Sequence, residues 1–136
     1  MTHRAFIWPQ RVYYQHTDAG GMVFHTRYLD FMECARTEFL ASLGFDLGAL
    51  ARRAHVLFVV HSARIDYHKP AQLNDRLTIT ARVSRIGRVR LEFEQQVRRG
   101  EHVLASATLG LACVDARDYK PVALPEAIRK KLQEAS

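Results

Sequence analysis

The spacing of apolar positions changes once along the chain, and that change divides it. Over residues 26–43 they recur at helical period. Tyr28, Met32, Ala35, Phe39 and Leu43 share one stripe, widened by Leu29, Phe31 and Leu40. So wide an apolar face predicts a helix packed deep against a sheet, and Gly44 is placed to end it. Ahead of it, residues 6–14 read as a strand carrying Ile7, Val12, Tyr13 and Tyr14. Pro9 there points to an edge or a bulge. Residues 45–53 read as a short helical turn and connector.

Beyond residue 55 the period is two. Val56 to Val60 is a continuous apolar run, followed by alternation of Ala63, Ile65 and Tyr67 with Arg64, Asp66 and His68 until Lys69-Pro70. Leu77, Ile79, Ala81 and Val83 alternate with polar residues up to Gly87. Val89, Leu91, Phe93 and Val97 do the same up to Gly100, with Gln95 the one polar residue on the apolar side. Residues 102–114 are apolar or small on both faces, which predicts a strand inside the sheet. Pro125-Glu126 opens a short amphipathic helix. One strand, one long helix and four further strands, with no repeat or linker, predict a single α+β domain over residues 1–136. Its sheet should be largely antiparallel and lie around the long helix. Open sheet edges of this kind favour pairing with a second copy.

Composition adds limits. A chain of 136 residues suits one domain, and 48% hydrophobic with 25% charged residues is ordinary for a globular protein. No apolar run reaches the roughly 20 residues of a membrane span, and residues 1–9 lack a leader's apolar segment. A cytoplasmic protein is expected. Cys34 and Cys113 match no disulfide or C-x-x-C spacing and read as buried free thiols. The net charge of +6 suits an anionic ligand. The basic residues are scattered, however, without the motifs of nucleic-acid binding, so no nucleic-acid partner is expected.

Candidate chemistry gathers in Tyr13-Tyr14-Gln15-His16-Thr17-Asp18-Ala19-Gly20-Gly21-Met22-Val23-Phe24-His25. Taken alone, Asp-Ala-Gly-Gly is turn chemistry. Its surroundings add to that. Gly20 and Gly21 leave backbone amides uncovered, and His25-Thr26 stands where the long helix begins, with free amides and the positive dipole end. A carboxylate beside such donors is what acyl transfer needs, one to attack or activate water and one to hold the oxyanion. Tyr14, if its side chain faces the turn, would orient Asp18 by a hydrogen bond. His25 would orient the leaving thiolate, or serve through its amide alone. Glu33 and Glu38 on the long helix are alternative carboxylates, and the default for Glu33 is a solvated face or a pair with Arg36. His55, His61 and His68 match no ligand motif, so no metal is expected. Nucleophile-elbow, Walker and dinucleotide fingerprints are missing too.

The run Val12-Tyr13-Tyr14-x-x-Thr17-Asp18-Ala19-Gly20-Gly21-x-Val23-x-His25-x-x-Tyr28-Leu29-x-Phe31-x-Glu33-x-Ala35-Arg36-Thr37-Glu38 resembles the hot-dog-fold acyl-CoA thioesterases. Within them it is similar to the Tol-Pal-associated, YbgC-like branch of the 4-hydroxybenzoyl-CoA thioesterase group. Tyr67-x-Lys69-Pro70-Ala71 extends the likeness over nearly the whole chain. The resemblance implies a five-stranded antiparallel sheet wrapped around the long helix, in a homodimer or homotetramer with active sites at the dimer interface. It places the catalytic Asp at Asp18, with Tyr14 and His25 beside it and the His25 amide polarising the thioester carbonyl. Gly20, Gly21, Val23, Lys69 and Arg88 are the candidate substrate-binding residues, with Lys69 and the basic residues from Arg82 to Arg90 as candidates to meet the nucleotide phosphates of CoA. Gln15 and His16 depart from the acidic pair often found before Thr-Asp. The implied reaction is hydrolysis of a small or medium acyl-CoA, with CoA part of the substrate and no further cofactor. Acyl carrier protein is an alternative acyl donor. The competing readings are a non-catalytic acyl or acyl-carrier-protein-binding module, and a dehydratase, whose His motif is missing.

Overall fold

A computed structural model describes residues 5–136. The first four residues of the stretch read for a leader therefore lie outside the described part. The elements run β1 (Phe6–Arg11), a 3-10 turn (Tyr14–His16), α1 (Arg27–Ser42), α2 (Leu47–Ala49), a π-helical turn (Leu50–Ala54), β2 (Val56–Tyr67), β3 (Arg76–Ile86), β4 (Arg90–Arg99), β5 (His102–Asp115) and α3 (Glu126–Ala135). Among the described residues no helix is long and apolar enough to cross a membrane.

The strands form one antiparallel sheet in the order β1-β3-β4-β5-β2. β3, β4 and β5 follow one another as a meander. β5 lies inside the sheet, as its two-sided apolar character requires. β1 takes one edge, with Pro9 opposite Thr78, a place where a missing amide costs little. It is three residues shorter than expected. Beyond Val12 the chain turns, because Tyr13 and His16 exchange two hydrogen bonds and close a turn.

α1 lies against β1, β3 and β4. It buries Tyr28, Phe31, Met32, Ala35, Phe39 and Leu40, and Phe39 packs on Phe6 and Phe93 with ring centroids 5.7 and 6.0 Å apart. Gly44 ends the helix at φ +95, and Phe45 N–H returns to the Leu40 carbonyl in a Schellman closure. Two side chains differ from expectation. Arg36 points inward rather than pairing with Glu33 on the surface. Its Nη1 donates to Gln95 Oε1 at 2.8 Å, while Gln95 Nε2 donates to the carbonyls of Met32 and Thr80. Cys34 is exposed rather than buried, because it faces away from the stripe.

The apolar run of β2 is only partly buried, with Val56 in the core and Phe58 packed against it. β2 is the other edge, twelve residues long, with Val59 and Val60 exposed. Its register shifts at His61, whose ring lies with Ser62 over Gly110 of β5. A Cβ at Gly110 would press on Ser62 Oγ and come within 2.9 Å of that ring, so a larger residue there would have to displace both side chains.

Candidate active site

The stretch from His16 to Phe24 folds as a small hairpin set between the 3-10 turn and α1. Phe24 N–H donates to the His16 carbonyl, Thr17 bridges Val23, and Asp18 N–H donates to the Met22 carbonyl. Gly21 closes the tip at φ +79, a conformation in which a side chain would be strained. The outgoing arm is held from the other side. Val23 N–H meets the Ala71 carbonyl, and Leu73 N–H meets that of Gly21.

Asp18 occupies the tip and is exposed. Its Oδ1 accepts the amides of Gly20 at 2.9 Å and Met22 at 3.3 Å. Among the described residues Oδ2 has no partner. The carboxylate is thus oriented by backbone donors through one oxygen and open at the other. Those bonds consume the Gly20 amide, and the Gly21 amide donates to the Asp18 carbonyl. The Gly20 and Met22 amides orient the carboxylate, and Gly21 shapes its turn, so neither glycine offers an amide to a ligand.

His25 lies three residues past Met22, a backbone span of at most roughly 11 Å. Its amide meets no acceptor among the described residues and stands two residues before α1. The sixteen-residue helix adds its positive end to that amide. On the other side of the residue, the Tyr67 hydroxyl donates to the His25 carbonyl at 2.8 Å. Tyr28 stacks edge-on to Tyr67 at 5.2 Å and accepts the Ala71 amide on its own hydroxyl. Burial pushes both phenols above their ordinary range.

Val23, His25, Tyr28, Tyr67, His68, Lys69 and Pro70 line a cleft of about 340 Å³ at this point. Asp75, which accepts from Arg99 at 2.7 Å and from the Gln72 amide, stiffens the loop that forms its wall.

The candidates are therefore divided. His25, Val23 and Lys69 share the cleft. Asp18 sits at the neighbouring hairpin tip and is not part of the cleft wall. Tyr14 belongs to the 3-10 turn rather than a strand, is 82% exposed, and has no recorded hydrogen bond to Asp18. The orienting donors of Asp18 are backbone amides instead. Arg88 lies at the far end of the sheet: neighbouring Val89 meets Cys113, whose β2 partner is Phe58, whereas the cleft adjoins Tyr67, paired with Ala105. Eight residues of β5 separate those levels, a distance of roughly 27 Å along the strand. Within one protomer Arg88 and the cleft do not meet.

A family model described as the thioesterase-like superfamily matches residues 12–132. The chain belongs to that superfamily. It is 43% identical over 129 residues to the acyl-CoA thioesterase YbgC of Haemophilus influenzae, covering 95% of each chain. It is 40% identical to the acyl-CoA thioester hydrolase YbgC of Escherichia coli O6:H1, covering 94% of this chain and 96% of the relative. The crystal structure of a probable thioesterase from Bartonella henselae superposes with a TM-score of 0.86 at 37% identity, covering 90% of this chain and all of that one.

Within this thioesterase-like chain the five-stranded antiparallel sheet around α1 is the hot-dog fold that the residue pattern resembles. Tyr67 and Tyr28 are not legible as site residues in the sequence because their roles depend on contacts 42 or 43 residues away. In the strand pattern Tyr67 is simply the last apolar position, and the Tyr67-x-Lys69-Pro70-Ala71 likeness says nothing of its bond to His25.

Proposed function

We propose that the chain hydrolyses acyl-CoA thioesters to free acid and CoA, as one hot-dog domain spanning residues 1–136. That it is a thioester hydrolase rests on the family match and the YbgC relatives. The observation that carries the mechanism is the pairing of a carboxylate with one open oxygen, on a hairpin tip, and an unpartnered amide at the start of α1. Asp18 acts as nucleophile, forming an acyl-enzyme anhydride and releasing the thiol, or as general base on water. The His25 amide receives the negative charge on the thioester oxygen, a donor worth roughly 3–4 kcal/mol in acyl transfer. Gly20 holds the carboxylate and Gly21 closes the turn beneath it, Tyr14 borders the site from the turn before it, and Val23 lines the acyl side. CoA enters as substrate, and no other cofactor takes part.

The reading includes a second copy. The long bare edge of β2 is a pairing surface, and its exposed Val59 and Val60 favour burial. Antiparallel pairing of two β2 strands would bring the Val56 end of one beside the Tyr67 end of the other. Arg88 of a second copy would then approach the cleft, with Lys69 of the first, and both could meet CoA phosphates. A homodimer, or a tetramer of two such dimers, follows. Free thiols at Cys34 and Cys113 suit the cytoplasm.

The test is thiol release from a panel of acyl-CoAs by the purified protein and by Asp18→Asn. The variant should fold as the parent does and lose nearly all turnover. Substantial hydrolysis by Asp18→Asn would remove Asp18 from the mechanism. Tight acyl-CoA binding without turnover by the parent protein would instead favour a binding module.

A further inference from the structure

Three contacts converge on His16. Its Nδ1 accepts the Tyr13 amide at 2.9 Å. Its carbonyl accepts the Phe24 amide at 3.0 Å. Its ring stands edge-on to Phe31 of α1, with centroids 4.9 Å apart. Tyr13 is on the incoming side of the Asp18 hairpin, Phe24 is the residue before His25, and Phe31 belongs to the buried face of the helix. One residue thus ties both arms of the hairpin to the element that presents the His25 amide.

We propose that neutral His16 is the positioning residue that sets Asp18 against the His25 amide, and that protonation of its ring releases the hairpin and switches hydrolysis off. The proposal rests on the thioesterase reading and deepens it, adding the regulation of the same site. Its chemistry follows from the hydrogen-bond inventory. Imidazole Nδ1 accepts a bond only when it carries no proton, whereas imidazolium donates from both nitrogens. A proton on Nδ1 therefore sets two donors, Tyr13 N–H and Nδ1–H, against each other. One of the two bonds that close the Tyr13–His16 turn is lost, and a charge is placed on the half-buried ring against Phe31.

The groups facing His16 agree with this direction. On α1 these are Arg27 and Asp30, and on its own turn Tyr13, whose ring centroid lies 5.8 Å away. Burial, then the Arg27 charge, pushes the imidazole below its ordinary value of 6.5, with Asp30 acting weakly the other way. A folded-state value below the unfolded one means that the neutral bond contributes fully above about 6.5. The contribution is lost as pH falls through the lower, folded value. The hairpin is therefore held at neutral pH and freed in mild acid.

The experiment compares kcat and KM against pH for the parent, His16→Asn and His16→Phe. Asparagine offers a carbonyl oxygen to the Tyr13 amide and does not titrate; phenylalanine keeps the ring packing without an acceptor. The parent's kcat should fall about tenfold per pH unit on its acid side. His16→Asn should keep most of the neutral kcat and lose that limb. His16→Phe should lose on the order of tenfold in kcat at every pH, with KM little changed. An unchanged acid limb in His16→Asn, or parental kcat in His16→Phe, overturns the proposal. Turnover by Asp18→Asn would overturn the underlying mechanism instead, so the two failures are distinguishable. An NMR titration needs no turnover. The Tyr13 and Phe24 amides should shift together with the His16 ring at a value below 6.5. Amides that do not follow the ring, or a ring value of 6.5 or above, overturn it as well.

Discussion

Tyr67, the last residue of β2, donates its hydroxyl to the carbonyl of His25 at 2.8 Å and so joins the edge strand to the turn that opens α1. The bond spans 42 residues of sequence and fixes the peptide next to the amide assigned to the oxyanion. Tyr67→Phe removes it while keeping the ring against Tyr28. One neutral hydrogen bond contributes about 1 kcal/mol, so kcat for an acyl-CoA should fall about fivefold with KM little changed. Parental kcat in steady-state thiol-release assays would show that the bond does not hold the site.

A second tie runs through the core. Gln95 is 1% exposed and satisfies Arg36, the Met32 carbonyl and the Thr80 carbonyl together. Gln95→Leu leaves a buried guanidinium without its amide acceptor and takes a side-chain donor from two carbonyls. Urea unfolding should register a loss of about 2–4 kcal/mol. Adding Arg36→Met removes the orphaned charge, and the double variant should recover most of that loss. Equal stability of Gln95→Leu and the parent would mean that solvent reaches the guanidinium.

The exposed edge of β2 makes the third prediction. Val60→Lys places a charge on a strand proposed to pair with its copy, which is how natural edges block pairing. Sedimentation should move from the mass of an oligomer to that of a smaller species. Activity should fall with it, since the proposed pairing is what would bring Arg88 of one chain to the cleft of another. An unchanged mass would exclude β2 as the pairing surface.

Much of the architecture was legible in the order of residues. The helical stripe of α1, its stop at Gly44, the period-two strands and the interior character of β5 are properties of neighbouring residues, and each is visible in a short window. The carboxylate turn and the helix start that follows were legible for the same reason, since Asp18 and His25 are seven positions apart.

Other features needed the fold. Whether Val56 to Val60 is buried depends on which strand lies beside it, and β2 proved to be an edge. Tyr14 leaves β1 because Tyr13 and His16 close a turn, so the partners of Asp18 are amides rather than a phenol. Arg36 faces inward because a polar residue 59 positions away waits there. Local periodicity tells a chain which face of each element is apolar. Only packing decides which faces meet, because contacts between distant residues form at a cost in chain entropy that no short window records.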